Sequence, residues 1–136
     1  MQLTPYLSFD GQCEAAFKFY EQCLGGKASE TMTWGDSPMA DEVSSDWHEK
    51  VVHTSLSVGD TEIMGADMPP GQYEKPQGFS VSVNIDDPTE ADRAFKALAE
   101  NGTVKMPIQE TFWAARFGML VDRFGIPWMV NCDKAA

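Results

Sequence analysis

Hydrophobic and polar side chains alternate in short segments along much of this chain, as they do in strands that bury one face. In residues 4–9, Leu7 and Phe9 fall on one side and Tyr6 and Ser8 on the other. Segments of strand-like composition recur at 27–34, 50–58, 61–66, 79–85, 104–111, 112–121 and 126–131. The pattern therefore predicts a chain rich in short strands.

Two segments have the spacing of an amphipathic helix instead. Their expected inward-facing residues are Ala16, Phe17, Tyr20, Leu24, Ala91, Phe95 and Leu98. We expect Asp10 to cap the first helix and residues 25–26, both glycine, to end it. Asp87 precedes a proline and should cap the second helix, with Glu90 at the capping-box position and Gly102 as the stop.

The order of elements occurs twice, as strand, helix and three strands. A shift of 76 positions, which places Phe19 on Phe95, superposes the two helices. We interpret the chain as a single domain, residues 1–136, built from two βαβββ modules at about 1–68 and 78–133. Each module leaves one sheet face uncovered. The predicted fold is thus α+β, with the modules paired into an open, curved mixed-sheet barrel, helices outside and a cavity within.

Composition narrows the possible partners and compartment. The chain has 136 residues and a net charge of −11, from 10 Lys and Arg against 21 Asp and Glu, with no basic stripe. A polyanion would be repelled, so we expect no nucleic-acid partner. Apolar runs are far shorter than the ~18 residues of a membrane span, and the first residues lack signal-peptide features. We therefore expect no membrane association and a cytoplasmic location.

Residues 35–50 combine many turn formers with several acidic side chains and little periodicity. This composition predicts a long loop. Long loops in small domains serve as lids or are plain mobile excursions, and the sequence leaves both interpretations open.

Four stretches together identify a family resemblance: PYLSFDG, AAFKFYEQCLGG, VVHTSLSVGDTEIMGAD and FWAARFGMLVDRFGIPWMVNC. The last contains W-x-x-R-F-G followed by D-x-F-G-x-x-W. The chain resembles the vicinal oxygen chelate superfamily of glyoxalase I, extradiol dioxygenases and bleomycin resistance proteins, and within it the PhnB-like branch, often labelled after a 3-demethylubiquinone methyltransferase. Many relatives carry Pro where this chain has Arg123. The resemblance implies a homodimer.

Metal-dependent members of that superfamily take His or Glu ligands from the first and last strands of each module. The matching positions here hold approximately Tyr6 or Thr4, Met64, Ser80 and Met129. Thioethers and hydroxyls are poor ligands for Zn²⁺, Ni²⁺, Mn²⁺ or Fe²⁺, so we expect no metal and no cofactor. A displaced site is the alternative; its candidate ligands are His53, His48, Asp67 and Glu62.

The remaining candidates for a site are a histidine, an arginine and two tryptophans. Alternation turns His53 toward the cavity, where it is either a general base or hydrogen-bond anchor, or a side chain tied into a polar strand face. Arg116 either binds a carboxylate or phosphate or forms a structural ion pair with an acid such as Asp122. Trp128 should be core, whereas Trp113 either lines the cavity or packs under the loop.

These observations favour a metal-free protein that binds a small, partly apolar molecule as a homodimer. An isomerase, lyase or transferase that uses His53 and Arg116 on a small oxygenated substrate is a second hypothesis. A dimeric structural or regulatory module is the third. Methyl transfer receives no support, because no glycine-rich loop for the methyl-donor cofactor is visible. Whether the chain is an enzyme stays open.

Overall fold

The computed structural model describes residues 1–135 and comprises two compact units, Met1–Glu74 and a second that begins at Lys75. Within the described residues each unit contains one α-helix and one mixed sheet, and neither sheet closes on itself. The predicted α+β fold of two βαβββ modules is confirmed. No helix in residues 1–135 is long and apolar enough to cross a membrane.

The first unit has its sheet strands in the order β1-β5-β4-β2, with β3 also paired to β4. Its elements are β1 (Tyr6–Phe9), α1 (Cys13–Leu24), β2 (Lys27–Ala28), β3 (Met32–Thr33), β4 (Val51–Val58) and β5 (Thr61–Asp67). Helix α1 packs on one sheet face, where Leu7 and Phe9 are buried as alternation predicts. An added Cβ on Gly65 would lie 2.6 Å from the Phe17 ring, so the helix lies close against β5.

The start of α1 differs from the prediction. Asp10 is exposed and does not cap the helix, and the N-cap residue Gln12 makes no side-chain bond to it. The cap comes from Asp67, the last residue of β5, whose Oδ1 accepts the N–H groups of Gly11 and Cys13 at 2.9 Å each. Its Oδ2 accepts the N–H of Val51 at 2.9 Å. One buried carboxylate therefore joins α1, β4 and β5. The glycine stop is confirmed by a φ of 77° at residue 25.

The predicted strand at 27–34 is interrupted and forms β2 and β3 separately. At the break, the Ser29 N–H donates to the Ser55 carbonyl oxygen at 2.9 Å, and the Ser55 N–H donates to the Ser29 hydroxyl at 3.1 Å. The register then shifts between Met32 and Thr33. A register irregularity of this kind bends the strand, and alternation alone does not reveal it.

Residues 35–50 form the predicted loop, which contains two short 3₁₀ turns, Ala40–Glu42 and Ser45–Trp47. The His48 ring bonds the Ala40 carbonyl oxygen through Nε2 at 2.9 Å. At the loop's base, the Trp34 N–H donates to the Lys50 carbonyl oxygen at 2.8 Å. These hydrogen bonds hold the loop in place within the first unit.

The second unit has its strands in the order β6-β9-β8-β7. Its elements are β6 (Val81–Asn84), α2 (Pro88–Ala99), β7 (Thr103–Gln109), β8 (Ala114–Val121) and β9 (Pro127–Asp133). The α2 cap is confirmed, since Asp87 Oδ2 accepts the Glu90 N–H at 3.1 Å. The stop differs slightly, because Asn101 takes the positive φ of 58°. Gly102 instead allows the backbone at the end of β8 to come close, since a Cβ there would lie 2.5 Å from the Val121 carbonyl oxygen.

Candidate functional site

In the first unit, three side chains form a row across adjacent strands on the sheet face opposite α1. Tyr6 on β1 pairs with Met64 on β5, and Met64 pairs with Ser55 on β4. The Tyr6 hydroxyl lies 3.4 Å from Nδ1 of His53, the next residue on that face of β4. The structure therefore brings together three predicted site residues: Tyr6, His53 and Met64.

The Tyr6–His53 contact defines which ring nitrogen is available. Burial raises the pKa of the Tyr6 hydroxyl, which therefore keeps its proton. A protonated phenol donates to an imidazole nitrogen that has a lone pair, so we infer that Nδ1 of His53 is the acceptor and Nε2 carries the hydrogen. His53 is exposed, and in this tautomer Nε2 is the donor nitrogen of its ring.

A serine pair continues this polar face toward β2. The Ser55 hydroxyl donates to the Ser29 hydroxyl at 3.0 Å, and Ser55 is 8% exposed. The first unit thus presents hydroxyls, one imidazole and one thioether, a combination that suits a neutral, oxygen-containing ligand.

The second unit has an equivalent row on the face opposite α2. Ser82 on β6 pairs with Met129 on β9, Met129 with Met119 on β8, and Met119 with Met106 on β7. The residue beside Met129 is therefore Ser82, whereas Ser80 precedes the first residue of β6. Alternation places residues 80, 82 and 84 on one face, but it does not fix which of them meets β9.

An aromatic cluster lies beside this row. Trp113 contacts Phe112 and Phe117 edge to face, with ring centroids 4.8 and 5.4 Å apart. Trp113 is 48% exposed and Phe117 pairs with Asn131, two positions from Met129 on the same face of β9. The second unit thus presents a surface of thioethers and aromatic rings. Such groups are polarisable and adapt to irregular apolar molecules.

Arg116 lies on the other face of β8. Its Nε donates to Asp92 Oδ1 of α2 at 3.1 Å, and its Nη1 donates to the Ala115 carbonyl oxygen at 2.7 Å. Gly118, two residues further on that face, approaches Phe95 of the same helix. The ion pair, one of the two interpretations left open by the sequence, is present with Asp92 as its partner.

The closing motif is explained by the turn between β8 and β9. Asp122 Oδ1 accepts the N–H groups of Phe124 and Ile126 at 2.8 and 3.0 Å. Gly125 has a φ of 90°, which side chains with a Cβ rarely adopt. Trp128 is 1% exposed, so its predicted place in the core is confirmed. The motif's aspartate, second glycine and second tryptophan therefore shape a turn.

The positions that hold metal ligands in related proteins do not fit a divalent ion. The residues predicted to match them are Tyr6 or Thr4 with Met64 in the first unit and Ser80 with Met129 in the second, where Ser82 is the residue paired with Met129; all of these offer hydroxyls or thioethers. Within residues 1–135 no group of three or more His, Cys, Asp or Glu could hold a metal. Asp67, a ligand candidate for a displaced site, already accepts three backbone N–H groups.

A separate pocket of about 440 Å³ lies at the start of α1. Its lining includes Gly11, Glu14, Glu49, Lys50 and Asp67. Lys50 Nζ donates to the Gly11 carbonyl oxygen at 3.1 Å and lies 5.8 Å from the Trp47 ring centroid. The polar atoms of Lys50 and Asp67 serve these internal contacts.

Residues 2–130 match the sequence model of the Glyoxalase/Bleomycin resistance protein/Dioxygenase superfamily. The chain belongs to this superfamily. Its curated relative YjdN of Escherichia coli (strain K12) is 33% identical over 142 residues, which cover 98% of this chain and 97% of YjdN.

Two solved structures extend the comparison. Protein PA1353 from Pseudomonas aeruginosa is 47% identical, with a TM-score of 0.90 and 99% coverage of both chains. A putative 3-demethylubiquinone-9 3-methyltransferase, the PhnB protein from Bacillus cereus, is 22% identical, with a TM-score of 0.80 and coverage of 97% of this chain and 99% of that one. At this identity the second likeness shows the fold alone, and the PhnB-like resemblance is confirmed at that level.

Proposed function

We propose that this protein binds a small, partly apolar organic molecule and does so without a divalent metal ion. The observation that carries the proposal is the composition of the two open sheet faces. Tyr6, His53 and Met64 line one face, and Met129 with Trp113 lines the other. In the first unit, the hydroxyl and imidazole groups suit the polar atoms of a ligand and the Met64 thioether suits its apolar part; in the second unit, the thioethers and aromatic rings suit an apolar molecule.

Among the roles named in the superfamily's description, the one that fits these residues is that of the bleomycin resistance proteins. Glyoxalase and dioxygenase chemistry in this superfamily uses metal ligands that the matching positions lack. A binding or sequestering role requires only shape, hydrogen-bond donors and apolar area, which both faces supply. Ser80, just before β6, is proposed as a further contact at the edge of the second face.

An enzymatic role is the second candidate, and the Tyr6–His53 contact favours it. A phenol within 3.4 Å of an imidazole is a pair that can hold or move a proton on a bound substrate. An isomerase, lyase or transferase would use His53 in this way. Arg116 would take part only after its guanidinium leaves Asp92, so its role in catalysis is the weaker element.

We also propose that the protein acts as a cytoplasmic homodimer. The resemblance to PhnB-like proteins supports the dimer. Light scattering after size exclusion would give about twice the chain mass of 15.0 kDa for the dimer. A mass equal to one chain at micromolar concentration would reject it.

The first experiment is elemental analysis of tag-free protein, followed by thermal melting with Zn²⁺, Ni²⁺, Mn²⁺ or Fe²⁺ and then with a library of small organic molecules. A ligand that binds only the folded state adds about 2.7 kcal/mol at a hundred times its Kd. We expect no shift with the metals and a shift with some organic molecules. Stoichiometric metal with a raised Tm would overturn the metal-independent proposal.

The contribution of His53 is measured with His53→Ala. For a binder, affinity for a molecule found in the screen should fall modestly; for an enzyme, activity should collapse. His48→Ala is the matched control, because the His48 ring bonds only within the loop. If both variants bind and melt alike, His53 is not part of the site; if no molecule of the screen binds the wild type, the structural or regulatory module becomes the leading hypothesis.

A further inference from the structure

Three methionines occupy one register position across three neighbouring strands of the second unit. Met119 on β8 pairs with Met129 on β9, and Met106 on β7 is the partner of Met119 at a point where the register between β7 and β8 shifts on both sides. Met119 and Met129 lie on the face opposite α2, and all three methionines are partly exposed. We refer to Met106, Met119 and Met129 as the methionine row. The protein contains 8 methionines in 136 residues, and three of them lie in this one row.

The spacing of strands allows three sulfur atoms to converge. Directly opposed residues of antiparallel strands have Cβ atoms about 5 Å apart, and neighbouring strands lie about 4.8 Å apart. The two outer strands of the row are thus separated by roughly twice that distance. A thioether sulfur lies two bonds beyond Cβ on an unbranched chain, so the side chains of Met106 and Met129 can lean toward Met119.

Thioether sulfur is a soft donor. It binds soft ions such as Cu(I) and contributes little to Zn²⁺, Mn²⁺ or Mg²⁺, which prefer nitrogen or oxygen ligands. We propose that Met106, Met119 and Met129 form a binding site for a soft monovalent metal ion of the Cu(I) or Ag(I) type. This site goes beyond the proposed small-molecule function and is consistent with the poor fit of the same face to divalent metals.

The rest of the molecule favours binding of a cation at the methionine row over binding at the cysteine thiols. The net charge of −11 raises the local concentration of cations around the protein. The three cysteines are buried, and Cys132 donates to the Asp86 carbonyl oxygen. Burial raises the pKa of Cys13 and of Cys132, so both stay protonated and are poor ligands near neutral pH. The partly exposed thioethers of the methionine row are therefore more accessible to an ion than the thiols are.

The direct test uses the full chain, labelled with ¹³C at the methionine methyl groups, and Ag(I) as a redox-stable probe. We expect three methyl resonances to shift together and to saturate near one equivalent. Met→Leu variants assign the signals. Met32 and Met39 are 51% and 41% exposed and lie outside the row, so they serve as internal controls. Equal shifts of Met32 and Met39 would show generic thioether affinity and reject the site, as would the absence of any methyl shift.

A competition assay with a Cu(I)-selective chromophoric chelator measures the affinity of the same site for Cu(I). Met119→Leu removes the central donor while keeping volume, a type of exchange that usually costs less than about 1.5 kcal/mol of stability. We expect it to weaken Cu(I) binding at least about tenfold. Met39→Leu should bind as the wild type does. Unchanged Cu(I) binding by a folded Met119→Leu variant would overturn the proposal. Binding of organic molecules is measured separately, without copper, so that failure of the Cu(I) site and failure of the proposed function can be told apart.

Discussion

The Asp122 carboxylate accepts the indole N–H of Trp128 at 2.8 Å, and both side chains are buried. The other carboxylate oxygen holds the backbone of the turn between them. The closing motif that carries the family resemblance thus has a structural purpose. Its residues position β9, and β9 carries Met129 on the open face.

Asp122→Ala should reduce the free energy of unfolding by about 3 kcal/mol or more, because it leaves several buried donors without an acceptor. Urea denaturation measures the change. Asp41→Ala, at an exposed aspartate of a 3₁₀ turn, is the control and should change stability by no more than about 0.5 kcal/mol. Equal effects of the two substitutions would contradict the assigned role of Asp122.

Gly118→Ala should destabilise the second unit by about 1–3 kcal/mol through overpacking. The added Cβ would lie 2.6 Å from the Phe95 ring and 2.9 Å from the Ile108 backbone. In a double-mutant cycle, Phe95→Leu should recover part of the loss, because it removes the ring. Strict additivity of the two substitutions would show that Phe95 and residue 118 do not press on each other.

Tyr6→Phe should change the tautomer of His53 without unfolding the protein. In the wild type at a pH where the ring is neutral, we expect an acceptor-type ¹⁵N shift at Nδ1 and a proton on Nε2. Without the phenol, the two tautomers should mix, and the Nδ1 and Nε2 shifts should move toward each other. His48 provides the reference signal in the same spectrum. Identical His53 shifts in both proteins would mean that the 3.4 Å contact does not act as a hydrogen bond.

Stability should fall in alkaline solution partly because of Cys13. Burial first, then the charges of Asp67 and Glu14, raise the pKa of its thiol above the ordinary value of 9.0. The unfolded chain loses this proton near that value while the folded chain keeps it. The stabilising contribution is therefore complete below pH 9 and is lost as pH rises further, at up to about 1.36 kcal/mol per pH unit.

Cys13→Ala isolates this contribution. The variant should be less stable than the wild type at pH 7, because a buried side chain is shortened. The gap in unfolding free energy should narrow between pH 9 and pH 10.5, since the variant has no thiol to hold protonated. A gap that stays constant over this range would exclude Cys13 as the source.

Short-range patterns predicted most of the fold. Alternation assigned the buried face of β1, and helical spacing assigned Ala91, Phe95 and Leu98 to the core, because each pattern repeats within a few residues. The cap of α1 was missed because its carboxylate, Asp67, lies 54 positions from Cys13 in the sequence. No local motif identifies a partner at that distance.

The candidate site was predicted less completely than the fold, because alternation does not give the register between paired strands. Alternation placed Ser80 and Ser82 on one face, but only the pairing of β6 with β9 shows that Ser82 is beside Met129. Met119 was missed because β8 is almost wholly apolar, so its alternation does not separate its faces, and Met106 because its pairing depends on register shifts between β7 and β8. The sequence named Arg116 and an ion pair as one of its roles, but it did not identify Asp92, 24 positions away on α2, as the partner.

The two caps give the two repeats different folding behaviour. Helix α2 carries its cap next to its first turn, in Asp87, so that helix can begin to form as soon as its own residues are available. Helix α1 is capped by the carboxylate of Asp67, which lies 54 positions after Cys13. Its first turn is therefore completed only when β5 has docked. We therefore expect the first turn of α1 to become stable during synthesis only after residue 67 has left the ribosome. Mutations at Asp67 should slow folding, whereas loss of the Asp87 cap should mainly affect unfolding of a helix that forms locally.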